Sequence, residues 1–298
     1  MTVRVLSSLL LSLIMVRMFI LFHDYLHGAI FRNSLVGSWI MTCVGILLLR
    51  PPADWRRSHN FHHAHNTQFA TANIGSFPIK TVREYFQSNK KQQRNYQIIR
   101  HPLIIAFGYL TCFLLESFKK IGFIKEGLTL QALVALTVHF SLMALALSYG
   151  FTTFLLSFCI PFFISCAIGT YLFYIQHNFE GASFKPDHEW DMEYAALHSS
   201  SCLKCGPITH WFTGNIGYHH IHHLNHRVPF YRLPEAMSKI PKLQNPVLVD
   251  LKPSTILKTL NLKLWDESQQ KLISFNEYEN LSLTVAMNEQ LQNQATPS

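Results

Sequence analysis

The chain has 298 residues, 49% of them hydrophobic and only 14% charged, with 23 phenylalanines and a net charge of +8. This composition argues for a membrane protein rather than one or two soluble domains. The basic excess does not point to nucleic acid, because no nucleic-acid module is recognisable and the cations have a local explanation given below. The six cysteines do not form a disulfide framework. Cys43, Cys112, Cys159 and Cys166 sit in apolar runs, where cysteine acts as a small hydrophobe. Cys202-x-x-Cys205, with His198 and His210 nearby, reads as an exposed loop of reduced thiols rather than a zinc site.

Val3 to Phe22 is an apolar run broken only by Arg4 and Arg17; at about twenty residues it is long enough to span a bilayer. It runs straight into His23 and His27 without a small-residue cleavage site, so it reads as a retained helix rather than a signal peptide. Leu35 to Leu49 is also apolar but, at about fifteen residues, short for a crossing. If it crossed, the next histidines would face the compartment opposite His23 and His27, so a re-entrant or interfacial segment is expected. From Arg50 to Arg100 many arginines and lysines stand against only Asp54 and Glu84, which places this side in the cytoplasm. Leu103 to Phe118 is a second short apolar stretch. Leu128–Leu147 and Phe151–Ile175 are long spans, joined by Ser148-Tyr149-Gly150 as a tight turn on the far side. That hairpin returns the chain, at His177, to the side that holds the other histidines.

The expected fold is therefore all-α and membrane-integral. It comprises a small transmembrane bundle (spans near 3–22, 128–147 and 151–175), interfacial segments at 35–49 and 103–118, and a cytoplasmic helical cap holding a metal site. A catalytic domain is expected over 1–240 and a cytoplasmic tail over 241–298. From about Ser254 that tail reads as solvated helices followed by a loose Asn- and Gln-rich end.

The chemistry is carried by histidine. His219, His222 and His223 form H-x-x-H-H within Gly217–His223, and His59, His62 and His63 repeat the same spacing. His23 and His27 add an i, i+4 pair, and on a helix such positions share one face. With His177 these make nine imidazoles. That exceeds the four ligands of one zinc and suits two metal ions, although imidazole alone does not choose among Zn, Cu, Fe and Ni. Two redox metals beside a hydrocarbon bundle point to oxygen activation for C–H cleavage. The Glu-x-x-His motif of soluble di-iron bundles is absent.

Four stretches resemble the membrane-bound fatty acid desaturases, most closely the bacterial acyl-lipid Δ12/ω6-type branch. They are Phe22-His-Asp-Tyr-Leu-His-Gly28, Trp55-Arg-Arg-Ser-His-Asn-Phe-His-His63, Tyr174-Ile-Gln-His-Asn-Phe-Glu180 and Trp211-Phe-Thr-Gly-Asn-Ile-Gly-Tyr-His-His-Ile-His-His-Leu224. The resemblance implies a non-haem di-iron centre held by the nine histidines. It also implies use of O2 and two electrons, and a cis double bond introduced into an acyl chain, lipid-linked in this branch. Electrons would come from a separate ferredoxin or cytochrome b5, since no His-Pro-Gly-Gly haem motif is present and basic residues near the boxes suit an acidic donor. The implied location is a multi-pass protein of the bacterial inner membrane, surrounded by membrane lipids, with its boxes on the cytoplasmic face. The family usually carries a further apolar helix before the first box, whereas Met1 here opens almost directly on the box helix, as in a short member or a truncated product. The third box reads His219-His-Ile-His-His223 rather than the H-V-A-H-H of many plant enzymes, so double-bond position does not carry over.

Other residues receive weaker assignments. Asp24, Asn178, Asn215, Glu180 and Asp191 are candidates to orient imidazoles, with helix capping as the bland alternative. His220 points off the shared face and reads as an outer neighbour of the metals or a bystander. His65, His101, His188, His198, His210 and His226 fall outside the spacing and read as surface or hydrogen-bonding residues, and His139 as a locally bonded histidine inside a span. The rival activities are an acyl hydroxylase, a ketolase or an acetylenase on the same scaffold. A histidine-rich metal transporter is disfavoured because its ligands would lie at mid-membrane on broken helices.

Overall fold

The computed structural model describes residues 1–71, 75–122 and 130–281. Among these, three helices are long and apolar enough to cross a membrane: α1 (Thr2–Leu26), α4 (Leu130–Ser148) and α5 (Phe151–Ile175). Residues 128 and 129 of the expected second span lie outside the described residues. All three helices are strongly apolar on average and bury less than a third of their most apolar stretch inside the protein. Leu6, Leu9, Leu10, Leu133, Leu145 and Phe151 are left exposed. Such a belt is unfavourable in water and costs nothing in hydrocarbon, which is why these helices suit a bilayer.

Two further helices complete the frame around the histidines. Helix α2 (Leu35–Leu47), capped by Ser34 Oγ accepting from the Gly37 amide at 3.0 Å, is too short to span. It folds back along α1, with Met41 packed among Phe22 and Leu26 and its far end beside Met15 and Leu11. The approach is tight at Gly45, where a Cβ would stand 2.5 Å from the Phe22 ring and 2.7 Å from the Arg50 carbonyl. Pro51 and Pro52 then start α3 (Pro52–Ala64), proline being compatible with a first helical turn. Helix α3 carries the second histidine box back to the level of His23. The short apolar stretch near residue 110 contains a π-helical turn, Tyr109–Leu114, and α5 contains another, Leu155–Cys159.

The C-terminal part departs from expectation. Rather than a solvated tail, residues 248–273 supply strands that are built into the body. β1 (Lys80–Thr81) pairs in parallel with β4 (Leu264–Asp266), which forms a hairpin with β5 (Lys271–Ile273). β2 (Cys202–Lys204) pairs in parallel with β3 (Leu248–Asp250). Trp265, 1% exposed, sits in one core cluster with Val16, Leu172, Ile175 and Phe179. These strands are two or three residues long, too short for a period-two pattern to show against the surrounding polar sequence. The helix at Pro253–Asn261 and the helical residues 275–281 match the expectation, and residues 282–298 lie outside the described residues.

Candidate metal centre

Each histidine box is delivered by a distinct local device. His23 and His27 lie on one face of the last turn of α1. His59, His62 and His63 do so on α3, and His177 follows the end of α5. The third box forms α6 (His219–Leu224), introduced by Gly214 and Asn215, both with positive φ (52° and 54°), a conformation that glycine and asparagine tolerate best. A Cβ on Gly214 would lie 2.7 Å from Ile20 Cγ2, so this glycine lets the box loop close against α1. Arg17 secures the same contact, donating to the Trp211 carbonyl with its guanidinium 4.1 Å from the indole centre.

The nine histidines converge into two groups. His23, His27, His59, His63 and His222 form one, and His62, His177, His219 and His223 the other; within each, the nearest ring nitrogens all lie within 4.8 Å of one another. The contacts run between Nε2 atoms: His62 to His177 at 3.2 Å, His219 to His177 at 3.0 Å, His59 to His63 at 3.1 Å and His222 to His63 at 3.1 Å. All nine side chains are buried.

The surroundings favour neutral imidazoles with lone pairs turned inward. Burial first, and then neighbouring histidines, push His27, His59, His62, His63, His219, His222 and His223 well below the usual imidazole range. His177 is pushed down to about 4 by burial, against a raising contribution from the Ser199 carbonyl. The His177 Nδ1–H donates to that carbonyl at 3.1 Å, which leaves Nε2 unprotonated and facing the group. His23 Nδ1 is likewise held 3.1 Å from Asp24 Oδ1, and Asp24 Oδ2 accepts from the Phe230 amide at 2.6 Å. Both nitrogens of His27 and of His223 have no hydrogen-bond partner. A buried polar atom left so costs about 1–3 kcal/mol, a cost that metal coordination would remove. Two all-imidazole sets with orphaned, neutral nitrogens therefore fit a pair of borderline transition-metal ions.

Beside the groups lies a cavity of about 1040 Å³, bordered by Met15 and Phe19 of α1, Trp55 of α3 and Phe162 and Phe173 of α5. His23 and His59 from one group and His219 from the other reach its wall.

The chain as a whole is similar to known proteins. The family model described as "Fatty acid desaturase" matches residues 2–246. The chain belongs to the fatty acid desaturase family. It is 34% identical to a "Fatty acid desaturase" of Bacillus subtilis (strain 168) over 276 residues, which is 90% of this chain and 76% of that one. It is 25% identical to the "Omega-6 fatty acid desaturase, chloroplastic" of Arabidopsis thaliana over 228 residues, covering 74% of this chain and 50% of the plant protein. The protein is an enzyme of this desaturase family.

The weaker candidates of this desaturase separate on inspection. Asp24 touches a box histidine. Asn178 turns the other way, accepting from Arg100 Nη2 and donating to the Thr259 and Leu262 carbonyls at 2.9 and 3.2 Å. Asn215 donates to the Phe230 carbonyl at 3.1 Å, and His220 Nε2 faces the Leu243 carbonyl at 3.2 Å, away from both groups. Glu180 pairs with Lys258, and Asp191 caps the helix Met192–His198. His65 donates to the Phe61 carbonyl, His101 caps the following turn, His188 meets Glu189, and His198 and His210 rest on Tyr194 and Tyr218. The cysteine pair corrects the sequence reading. Cys202 is buried in β2, its thiol pushed up to about 11 by burial, because pairing with β3 covers a loop that the sequence leaves open.

Two neighbours of the site escaped the sequence reading. Trp55 stacks on His59 at 4.0 Å between ring centres and meets His23 edge-on at 5.6 Å. Its position one helical turn before His59 was the available signal. His226 lies 4.6 Å from His27 and 5.3 Å from His63, at the rim of the five-histidine group. It stands four residues after His222, but α6 ends at Leu224, so helical spacing alone does not bring it in.

Proposed function

We propose that this protein is a membrane acyl desaturase that removes two hydrogens from adjacent methylenes of an acyl chain, lipid-linked as in the branch it resembles, and leaves a cis double bond. The balanced conversion is R–CH2–CH2–R′ + O2 + 2e⁻ + 2H⁺ → R–CH=CH–R′ + 2H2O. The observation that carries the reading is the meeting of two buried all-histidine groups with the end of a long apolar cavity. His23, His27, His59, His63 and His222 would hold one iron, and His62, His177, His219 and His223 the other. The bound irons would supply the oxidising power that an unactivated C–H bond demands.

The protein's own residues supply the rest. Phe19, Phe162 and Phe173 line an apolar volume at the upper end of the usual range for a ligand site, which suits an alkyl chain and excludes water from the reacting carbons. Ser199 and Asp24 fix the ring orientations of His177 and His23, keeping their inward nitrogens bare. Trp55 packs His59 against rotation. The electrons come from a separate ferredoxin or cytochrome b5, docked through the basic residues of 80–100. The boxes face the cytoplasm of a bacterium, with α1, α4 and α5 crossing its inner membrane and the site capped on that side. This is supported by the basic excess near the boxes and the uncharged turn between α4 and α5.

The test is expression in a desaturase-deficient host together with an electron donor, followed by mass spectrometry of derivatised acyl esters and metal analysis of the purified protein. New double bonds and two irons per chain are expected. Hydroxylated chains would move the assignment to the sister chemistry, and zinc in place of iron would refute the redox reading.

A further inference from the structure

A second, almost wholly apolar space of about 530 Å³ lies between α1, α2, α4 and α5 and opens on the outer face of the bundle, where Leu11, Ile14, Leu145 and Tyr149 of its lining are exposed. Met15, Leu48 and Phe162 border both this space and the larger cavity beside the histidines, so these three side chains form the wall between them. The two spaces lie in series along α5. The first runs from Gln176, next to His177, to Phe162, which at ~1.5 Å per residue is about 21 Å. The second continues from Phe162 to Thr153, about 14 Å more by the same rise. The first alone exceeds half of a ~30 Å hydrocarbon core and so has the length of one acyl chain. Joined, the two would exceed the whole core.

The wall is braced. Tyr109 and His139 are bonded at 2.7 Å inside the bundle, and His139 is 1% exposed among phenylalanines. His139 meets the Phe162 ring edge-on at 4.8 Å, and Tyr109 lies 5.8 Å from the same ring. A polar pair in such surroundings is expensive and is retained where it does something. Ser165 Oγ, which donates to the Phe162 carbonyl at 3.2 Å, also lies 3.9 Å from Met15 Sδ. The two π-helical turns, a feature that concentrates at functional sites, stand at this same level. Phe113 of one lines the first cavity, and Phe158 of the other lines the second.

We infer that Met15, Leu48 and Phe162, with Phe162 held by the Tyr109–His139 pair, are the specificity determinants that stop the methyl end of the acyl chain and so limit how many carbons extend beyond the oxidised methylenes. The inference rests on the acyl-desaturase reading above. A methylene without room in an apolar pocket is discriminated against by about 10-fold or more. Chains that end short of the wall are accepted, and those that would have to cross it are rejected by at least that factor.

The test uses the full chain in the desaturase-deficient host, supplied with a ladder of saturated acyl chains lengthened two carbons at a time, with double-bond position located in every product. Met15→Ala/Phe162→Ala opens the wall and is expected to raise the longest chain desaturated, relieving the wild-type discrimination by about 10-fold or more. Tyr109→Phe, which frees Phe162 without removing it, moves the cut-off in the same direction by less. An independent variant works from the other side. Gly169 lines the first cavity, and a Cβ there meets nothing within 4 Å, so Gly169→Leu is expected to lower the cut-off. Unchanged cut-offs in the opened and filled variants, each eluting as a single species in detergent, would overturn the inference while leaving the desaturase reading intact. Failure of the wild-type chain to desaturate any member of the ladder would instead overturn that reading, and the inference with it.

Discussion

Asp24→Asn isolates the contribution of one carboxylate to the proposed metal centre without changing side-chain volume. Asp24 divides its two oxygens between His23 Nδ1 at 3.1 Å and the Phe230 amide at 2.6 Å. Asparagine keeps one acceptor, so one of these bonds is lost or meets an N–H pointing at an N–H. A hydrogen bond to a charged group is worth about 1.5–3 kcal/mol. If asparagine keeps its oxygen on the amide, His23 loses the bond that holds its Nδ1 protonated and its ring fixed. At about 1.4 kcal/mol per factor of ten, iron in the five-histidine group should then bind roughly 10- to 150-fold more weakly. Outer-shell partners of metal-bound histidines have effects of about 10–100-fold. The assay is iron content by mass spectrometry after titration with a graded chelator, with desaturated product measured in parallel. Expected is loss of about half the iron at a chelator concentration that leaves the wild type loaded, together with lost turnover. A variant that retained both irons at wild-type affinity would show that His23 needs no orientation by Asp24.

Three other outcomes are expected. His222→Ala, or removal of any other of the nine histidines, should abolish turnover and lower iron content while the protein still fractionates with the membrane; retained turnover would sink the ligand assignment. Trp265→Ala empties a 1%-exposed site packed against Phe184 and should destabilise the fold by about 3–5 kcal/mol, read as a lowered midpoint of thermal unfolding in detergent; an unchanged midpoint would mean that the β4–β5 hairpin is only loosely attached. Lys263 is pushed down to about 7 by burial and by Arg100. Its folded-state value is thus below its unfolded one, and between about pH 7 and the ordinary lysine value of about 10.4 the unfolded chain holds a proton that the folded chain lacks. Stability should therefore rise with pH across that window, and Lys263→Met should flatten the rise; equal slopes in the two proteins would contradict the burial of a neutral amine.

The histidine boxes were legible because their chemistry is local. Spacings of three and four residues place His59, His62 and His63, or His219, His222 and His223, on one helix face whatever the rest of the chain does. The same locality explains the misses. Trp55 shares a helix with its target and could have been read. His226 reaches His27 only because the chain turns after Leu224. Nothing near Cys202 announces that Leu248–Asp250, more than forty residues on, will cover it.

What the sequence by itself determined is what short-range periodicity and composition carry: three apolar runs of spanning length, the helical character of the boxes, and the residue types able to hold metal. Only the tertiary structure decided how nine imidazoles divide into groups of five and four, since the division cuts across the boxes and sends His62 one way and His63 the other. It also decided that Met15, Leu48 and Phe162, from three separate segments, share one wall, and that a polar C-terminal stretch closes the core with Trp265. The physical reason is common to these cases. A helix face is set by its own 3.6-residue repeat, whereas a cavity wall or a shared ligand sphere is set by which faces long-range packing brings together.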